Sequence, residues 1–227
     1  MKILWSQLVK KSQGKELSRH SDVMITRLGY DSRLISIYEG LLFVAMAGPR
    51  ADGHNFISEL YTRGVRCFVI ERSIDINLYP EANIFLTASS KACLQDLGRW
   101  AVAHNPIPLI AITGSNAKTL VKEWLASLLS EKFVVAKSPQ SFNSQIGVPL
   151  SVWDLSEHHQ IGVFEAGISQ QGEMEYLQKI LQPTMGIFTN IGEAHDRGFK
   201  DLVNKIDEKA KLFVGTQQIV CRRDHYE

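Results

Sequence analysis

The chain has 227 residues, of which 44% are hydrophobic and 22% charged, and these ordinary values exclude intrinsic disorder and a collagen-like repeat. Its 25 Lys and Arg residues nearly balance 24 Asp and Glu residues, which argues against a dedicated binder of nucleic acids or membrane surfaces. The 3 cysteines are far apart and lack CxxC spacing, so we predict neither a disulfide framework nor a zinc site and expect a reducing cytoplasm. The longest apolar stretches have the length of a strand, so no membrane span is predicted.

The N-terminal part of the chain alternates between strand and helix signals. Residues 35–48 predict extended chain with a turn, HNFISELYTRG predicts a helix that stops at Gly64, and VRCFVI predicts a buried strand. A weaker strand, NIFLTA, and a helix, KACLQDLGRWAVAH, follow. Pro106 and Pro108 then disfavour helix and indicate a stiff linker, so we place a boundary there between two domains, 1–106 and 107–227.

A second alternation of strands and helices begins directly after these prolines. The strand signals are LIAIT, FVVAK, IGVFEAG, MGIFTNIG and QQIVC, and the helix signals are TLVKEWLASLL, VPLSVWDL, EMEYLQKIL and DLVNKIDEKAKLF. Strands separated by helices of this length predict an α/β fold with a parallel sheet covered on both faces. Because ligands bind outside the carboxyl ends of the strands in such sheets, the loops at those ends are candidate sites.

The segment TGSNAKT, residues 113–119, lies between a predicted strand and a predicted helix, which is the context of a phosphate-binding loop. Its backbone N–H groups could cradle a polyphosphate, Lys118 could neutralise the phosphates, and the Thr119 hydroxyl could bind Mg²⁺. The alternative is a capped turn with an exposed lysine. Ala117 occupies a position at which phosphate-binding loops usually have glycine, because a Cβ there intrudes on the phosphates. The presence of alanine therefore argues against full catalytic competence. The other loop residues predicted to contact phosphate are Gly114, Ser115 and Asn116.

Four ordered segments resemble the central ATPase domain of the Mur ligase family: IAITGSNAKTLVKEWL, FNSQIGVPLSVW, FEAGISQQGEMEYL and GIFTNIGEAHDRGF. They are most similar to the branch that adds D-alanyl-D-alanine to UDP-N-acetylmuramoyl-tripeptide, and in part to its variant fused to an alanine racemase. DSRLIS and GLLFVAMAGPRADGHNFISELYTRG resemble the UDP-sugar-binding N-terminal domain of that family. The resemblance covers most of the chain from Asp31 onward.

This resemblance implies an ATP-dependent amide ligase of peptidoglycan synthesis, in which an acyl phosphate forms on the substrate and is attacked by an amine. ATP and Mg²⁺ are the implied cofactors, with pyridoxal phosphate only if a racemase domain follows. The implied partners are UDP-N-acetylmuramoyl-tripeptide and D-alanyl-D-alanine, with no nucleic acid and no membrane, and a monomer is implied unless a racemase is fused. The family has three domains, so we expect this chain to stop within the second.

The resemblance also assigns catalytic and metal-binding roles to residues beyond the loop. With Lys118 and Thr119, it implies Glu165, His195 and Lys209, the last carbamylated by CO₂ to become an anionic metal ligand. The residues alone leave other readings open. Glu165 is also typical of a helix N-terminus, His195 of a polar loop and Lys209 of a solvated helix face. The family usually has a glutamate two residues after the modified lysine, where this chain has Lys211.

Further binding residues follow from the same resemblance. The implied nucleotide contacts include Asn143 and Asn190, although an Asx turn explains Asn143 equally well. Arginine suits a diphosphate because it is bidentate and always charged. Without the family resemblance, however, the segment DSR predicts only a turn with an exposed arginine. The implied contacts of the UDP moiety are Ser32, Arg33, Asp52, Gly53 and His54.

Two other functions remain open from the sequence. One is a sister ligase that adds meso-diaminopimelate or lysine to the dipeptide precursor, or glutamate to folate; the segment GISQQGEM favours the D-alanyl-D-alanine branch instead. The other is a catalytically inactive remnant that binds a nucleotide or a UDP-sugar, which Ala117 and the expected truncation favour.

Overall fold

The computed structural model describes residues 1–49, 51–192 and 198–222. The chain divides into two compact units, Met1–Leu97 and Gly98–Glu227. This division falls inside a helix, a few residues before the proline pair at which a domain boundary is predicted. The position of that boundary at residue 106 stays a prediction.

The first unit is built on a five-stranded sheet of order β2-β7-β6-β5-β4, in which β4 to β7 run parallel and β2 runs antiparallel to β7. Strands β1 and β3 form a separate antiparallel pair. In chain order the elements are β1 (Ile3–Leu4), α1 (Trp5–Lys11), β2 (Lys15–Ser18), β3 (Met24–Ile25), β4 (Arg27–Gly29), β5 (Leu41–Val44), α2 (Ile57–Thr62), β6 (Cys67–Ile70), β7 (Asn83–Leu86) and α3 (Ser90–Ala103).

The predicted elements of this unit are confirmed from β5 onward, and the physical reason is burial. Every residue of β5 and of β6 is buried, as expected for central parallel strands covered on both faces, and such strands read as continuous apolar runs. The elements before β5 have no such signal. Strands β2 and β4 have the sequences KELS and RLG, which are too short and too polar to show a period of two.

The second unit contains an all-parallel five-stranded sheet of order β12-β11-β8-β10-β9. This confirms the parallel sheet predicted from the alternating pattern. In chain order the elements are β8 (Leu109–Thr113), α4 (Lys118–Leu129), β9 (Val135–Lys137), α5 (Gly147–Trp153), β10 (Ile161–Glu165), α6 (Met174–Leu181), β11 (Met185–Phe188), α7 (Leu202–Ala210) and β12 (Gln218–Cys221).

The strand order places the loop after β8 at the topological switch point of this sheet. The chain leaves β8 toward β10 and β9 on one side and later returns to β11 and β12 on the other. Ile112 of β8 is level with Glu165 at the end of β10, and Thr113 is level with Phe188 at the end of β11. The loops after these three strands therefore meet at one edge, which is where open α/β sheets bind ligands.

Packing of α4 on the sheet fixes where that helix begins. Ile110, Ile112 and Val163 form a buried apolar cluster, and Val121 and Leu125 of α4 pack against it. Their spacing of four residues is one face of a helix, so burial of this face sets the helix on the sheet with its N-terminus at the carboxyl edge. Of the helices in the part of the chain that the structure describes, none is long and apolar enough to cross a membrane.

Candidate functional site

The loop between β8 and α4 is held against the segment that follows β11. Gly114 has a φ of 142°, and a Cβ at this position would lie 2.0 Å from Thr189 Oγ1, so the position requires glycine. The Ser115 N–H donates to the Asn190 carbonyl at 2.8 Å. The Ser115 hydroxyl donates to the Gly192 carbonyl at 3.1 Å and accepts from the Gly192 N–H at 3.0 Å. Two predicted site segments are thus brought together here.

Ala117 occupies the N-cap of α4 with a φ of 62° and a ψ of 6°, in the left-handed region. A non-glycine residue in this conformation costs about 1–2 kcal/mol, which gives a backbone reason for the glycine usual at this position. Ala117 and its neighbour Asn116 are both exposed. The Asn116 N–H donates to Asn190 Oδ1 at 2.9 Å, so Asn190 shapes the loop through both its backbone and its side chain.

Lys118 is half-buried and bends over its own loop. Its Nζ donates to the Gly114 carbonyl at 2.9 Å and to the Ser115 carbonyl at 3.3 Å. Burial is the main cause that lowers the pKa of Lys118, and the charge of Lys205 adds to it while that of Glu165 opposes it. The ammonium therefore lies at the loop, in a place where an anion would stabilise its charged form.

Glu165, at the end of β10, is fully buried and accepts hydrogen bonds on one oxygen from two predicted site residues. Thr119 Oγ1 donates to Glu165 Oε2 at 3.0 Å, and Asn143 Nδ2 donates to the same oxygen at 3.3 Å. The Asn143 amide thus faces Glu165, and its contact with a nucleotide stays a prediction. The Thr119 hydroxyl also lies 3.3 Å from the Ser141 hydroxyl. Thr119, Asn143 and Glu165 therefore form one cluster beside the loop.

Lys122 is a member of this cluster that the sequence reasoning missed. It is fully buried, and its Nζ lies 3.1 Å from Glu165 Oε1, the carboxylate oxygen that faces away from Thr119. A lysine on an amphipathic helix is ordinarily expected on the solvated face. The signal that could have found it is its position one helical turn after Lys118 and one turn before the buried Ala126.

Lys209 of α7 is buried beside the loop, so the alternative reading of this lysine as part of a solvated helix face does not hold. Its Nζ donates to the Gly114 carbonyl at 3.2 Å, and its side chain is almost completely buried. Burial, together with the charges of Lys118 and Lys205, lowers the pKa of Lys209 to about 8. Because a lysine must lose its proton before it can react with CO₂, this environment suits the predicted modification, which itself stays a prediction.

The lowered pKa of Lys209 predicts a pH-dependent stability. The unfolded chain keeps the lysine protonated up to about pH 10.5, whereas the folded chain releases the proton near pH 8. The cost of burying the charge is therefore largest below pH 8 and falls as the pH rises. In CO₂-free buffer, we expect Lys209→Met to stabilise the chain relative to the unsubstituted protein, by about 2 kcal/mol more at pH 7 than at pH 9.5. Urea unfolding at the two pH values measures this difference, and an equal effect at both would contradict the assignment.

Lys211, which stands where the family usually has a glutamate, is not part of the cluster around Glu165. Its Nζ is 2.8 Å from Glu208 Oε2 and 3.0 Å from Glu175 Oε1. The hydrogen bond to Glu208 is the main cause that raises the pKa of Lys211. Glu208 in turn accepts from the Gly172 and Met174 N–H groups at 2.8 and 3.1 Å. Lys211 thus helps to join α7 to the start of α6.

The oxygen atoms of the cluster fit a magnesium ion that is bound mainly by phosphates. Glu165 Oε2 and Thr119 Oγ1 are adjacent hard ligands, and Mg²⁺ at nucleotide sites is usually held by one or two protein oxygens together with phosphate and water. Among the residues that the structure describes, no group of three or more His, Cys, Asp or Glu side chains could hold a metal. His195, another predicted ligand, lies outside the described residues.

The predicted UDP contacts Ser32 and Arg33 lie in a short 3₁₀ turn, Ser32–Leu34, after β4. Asp31 caps the turn by accepting from the Arg33 N–H at 3.0 Å. The Arg33 guanidinium binds the same carboxylate through Nε at 2.9 Å and Nη2 at 2.6 Å, and this contact is the main cause that lowers the pKa of Asp31. The Arg33 side chain is nevertheless 84% exposed, so it is accessible to a ligand, and its role toward a diphosphate stays a prediction.

The other predicted UDP contacts form a second capped turn, which begins at Gly53. Asp52 accepts from the His54 N–H at 2.9 Å, the main cause that lowers the pKa of Asp52, and lies 2.6 Å from His54 Nδ1. The buried His54 ring accepts from the Glu71 N–H through Nε2 at 2.9 Å, so its proton is on Nδ1. Nδ1 of the His54 ring is thus paired with the capping carboxylate of the turn, and Nε2 links the turn to the segment after β6. One turn comes after β4 in the chain and the other after β5. Since these strands are parallel neighbours, both turns come after the carboxyl ends of strands at the same edge of the sheet.

Comparison with known protein families gives a family for this arrangement. Residues 112–226, half of the chain, match the model described as the Mur ligase middle domain. The chain belongs to the Mur ligase family. Residues 24–115 match a second model, described as the Mur ligase family catalytic domain. The resemblance inferred from the four ordered segments is confirmed, and the matches extend across both units of this Mur ligase chain.

Relatives in the Mur ligase family narrow the resemblance to one branch. The UDP-N-acetylmuramoyl-tripeptide–D-alanyl-D-alanine ligase of Borreliella burgdorferi is 37% identical over 177 residues, which are 75% of this chain and 38% of that protein. The enzyme of the same name from Bacillus subtilis is 30% identical over 200 residues, which are 88% of this chain and 43% of that protein. The chain therefore spans less than half the length of these relatives.

Solved structures show the same branch. A crystal structure of MurF from Acinetobacter baumannii superposes with a TM-score of 0.85 at 31% identity and covers 94% of this chain and 47% of its own. The MurF ligase of Thermotoga maritima in complex with ADP superposes with a TM-score of 0.76 at 30% identity, covering 87% of this chain and 46% of its own. The mixed α/β architecture predicted from the sequence is thus confirmed.

Proposed function

We propose that the whole protein containing this Mur ligase chain joins D-alanyl-D-alanine to UDP-N-acetylmuramoyl-tripeptide in peptidoglycan synthesis, with hydrolysis of ATP. The observation that carries the proposal is the hydrogen bond of Thr119 to the buried Glu165 beside the Lys118 loop, at the switch point of a parallel sheet. This arrangement provides phosphate-binding N–H groups, a cation and two metal ligands in one place. The relatives that bear the name of this activity support the choice of substrates.

In this proposal the second unit binds ATP through the loop between β8 and α4. The backbone N–H groups from Ala117 to Thr119, at the N-terminus of α4, would face the phosphates, while the N–H groups of Ser115 and Asn116 hold the loop to Asn190. Lys118 would leave its loop carbonyls to contact the phosphates. Thr119 and Glu165 would hold Mg²⁺, which would neutralise charge on the phosphate oxygens. Asn143 orients the Glu165 carboxylate. The chain's task is to position the reacting carboxylate and phosphate and to balance their charge.

Further site residues remain part of the proposal. Carbamylated Lys209 and His195 would add ligands for a metal on the side of the loop formed by α7. In the first unit, the turns containing Ser32 and Arg33, and Asp52 to His54, would bind the UDP moiety. We place the reaction in the cytoplasm, which the three free cysteines, Cys67, Cys93 and Cys221, support. A monomer, and a fused racemase domain with pyridoxal phosphate, stay predictions.

A product assay on the whole protein tests the proposed activity. With ATP, Mg²⁺, UDP-N-acetylmuramoyl-tripeptide and D-alanyl-D-alanine, mass spectrometry should detect the UDP-linked pentapeptide together with ADP and phosphate. Leaving out D-alanyl-D-alanine should abolish the product. A product formed instead from the dipeptide precursor with lysine or meso-diaminopimelate would identify a sister ligase and contradict the proposal.

A second candidate function, nucleotide or UDP-sugar binding without ligation, is favoured by the left-handed Ala117. We expect Ala117→Gly to tighten ADP binding to the 227-residue chain by about tenfold, because glycine lacks the Cβ that intrudes on the phosphates. Isothermal titration with Mg²⁺ at saturation measures this affinity. Ala51→Gly, at an exposed alanine in the first unit, is the control and should have no effect on ADP affinity. Unchanged affinity in Ala117→Gly would show that the loop tolerates a Cβ beside the phosphates.

A further inference from the structure

Lys122 is a buried cation beside the candidate metal site, and one of its contacts is Glu165. Its side chain is completely buried. The Nζ donates to the Ser138 carbonyl at 2.8 Å and to the Gln140 carbonyl at 2.5 Å, both in the segment between β9 and α5. It also lies 3.1 Å from Glu165 Oε1 and 3.0 Å from Glu123 Oε1. The ammonium therefore joins α4, the segment after β9 and the end of β10.

The two backbone carbonyls fix the ammonium in place. Ser138 is buried, and its hydroxyl accepts a 3.3 Å hydrogen bond from the Glu165 N–H, so this segment is joined directly to the end of β10. Gln140 has a φ of 47°, a left-handed conformation that is unfavourable for a non-glycine residue. The Lys122 hydrogen bond to the Gln140 carbonyl stabilises this conformation. The position of Nζ is thus set by backbone atoms rather than by Glu165 alone.

The consequence for Glu165 is that its two oxygens have different partners. Oε1 faces the Lys122 ammonium, while Oε2 accepts from Thr119 and Asn143. A carboxylate can rotate about its terminal torsion unless each oxygen has a partner of its own. Because the ammonium attracts Oε1, rotation is opposed and Oε2 stays beside the Thr119 hydroxyl.

We propose that Lys122 is a positioning residue that orients the Glu165 carboxylate, so that Oε2 faces Thr119 and is available to a divalent cation held with a nucleotide. The inference rests on the proposed function, because it assigns a role within the same nucleotide site. Lys122 acts through Glu165 and contacts neither the nucleotide nor the cation. Groups that orient metal ligands are typically worth tenfold to hundredfold in metal affinity.

Titration of the 227-residue chain with ADP, with and without Mg²⁺, tests this role. We expect Lys122→Met to reduce the gain in ADP affinity that Mg²⁺ provides by at least about tenfold. The affinity for ADP without Mg²⁺ should change less than about threefold, because Glu165 acts through the cation. A general loss of structure would lower both affinities together, and circular dichroism confirms folding at the temperature used.

Lys137→Met is the matched control. Lys137 is an exposed lysine that pairs with Glu123, as Lys122 does. Its replacement by Met is therefore the same chemical change, made outside the cluster around Glu165. We expect it to leave both ADP affinities within about twofold of the unsubstituted chain, as for other exposed ion pairs. If Lys122→Met keeps the full Mg²⁺-dependent gain, the inference is wrong although the proposed function stands. If the unsubstituted chain shows no gain, the proposed function is contradicted and the inference with it.

A double variant separates orientation of Glu165 from any other effect of Lys122. Lys122→Met leaves a buried carboxylate without its cation, whereas Lys122→Met with Glu165→Gln leaves none, so the double variant is expected to fold even if the single variant does not. In the Glu165→Gln background, Lys122→Met should lower ADP affinity in Mg²⁺ by less than about threefold, because coupled residues are not additive. A further loss of about tenfold or more in that background would show that Lys122 acts by another route and would overturn the inference.

Discussion

Glu165→Ala is expected to lower the free energy of unfolding of the second unit by about 3–5 kcal/mol, the cost of leaving one member of a buried ion pair without its partner. The substitution leaves the ammonium of Lys122 buried, with Glu123 as its remaining carboxylate partner among the described residues. It also removes the acceptor of the Thr119 and Asn143 hydrogen bonds. Urea unfolding followed by tryptophan fluorescence measures the change, because 3 of the 4 tryptophans, Trp100, Trp124 and Trp153, lie in the second unit.

Glu123→Ala is the control for this prediction. Glu123 also approaches Lys122, but its side chain is 42% exposed, so its pairing is screened by solvent and is expected to contribute less than about 1 kcal/mol. The hydrogen bond from Lys137, an exposed lysine, is the main cause that lowers the pKa of Glu123. Equal destabilisation by the two substitutions would contradict the assignment of Glu165 as the partner of the buried ammonium.

Lys118→Ala is expected to weaken the binding of ADP with Mg²⁺ by at least about a hundredfold, since hydrogen bonds between a cation and phosphate are worth about 1.5–3 kcal/mol and the loop also loses positive charge. The structure holds the Lys118 ammonium at the loop already, 2.9 Å from the Gly114 carbonyl, and contact with phosphate requires that phosphate oxygens replace the loop carbonyls as its acceptors. Isothermal titration of the 227-residue chain gives the affinity.

The control for Lys118 is Lys132→Ala, which removes an exposed lysine just after α4. Its effect on ADP affinity should be less than about threefold, the scale expected from long-range charge alone. A comparable loss in the two variants would mean that Lys118 attracts the nucleotide only through net charge. That result would contradict a direct contact between Lys118 and the phosphates.

The sheet of the second unit could be predicted from the sequence because its physical signals are strong. Its strands are apolar and lie between helices of regular period, and the polar clusters follow the carboxyl ends of β8, β10 and β11. The start of the chain had no such signals. β2 and β4 gain their order from pairing with β7 and β5, which is tertiary structure that no local pattern shows.

The candidate site was predicted unevenly for a related reason. Lys118 and Thr119 follow from a local loop pattern, whereas the role of Glu165 was implied by the family resemblance. Lys209 was identified through the family resemblance alone, because the burial that lowers its pKa depends on packing of α7 beside the loop. Lys122 was missed because its partners lie on β10 and after β9, far away in sequence.

The turns of the first unit show the opposite case. Asp52 and His54 were predicted as ligand contacts from the resemblance, and the structure shows what the pair does in the fold. The carboxylate caps a 3₁₀ turn, and the imidazole links that turn to the Glu71 N–H. Hydrogen bonds that position a binding turn and those that contact a ligand use the same residue types, so the sequence alone does not separate them.

Titration of the 227-residue chain with ADP at saturating and at zero Mg²⁺ tests most directly whether the loop after β8 and Glu165 form a magnesium–nucleotide site. We expect a Kd of about micromolar order with Mg²⁺, at least about tenfold weaker without it, and loss of binding in Lys118→Ala. Absence of binding at millimolar ADP, or equal affinity with and without Mg²⁺, would contradict the site.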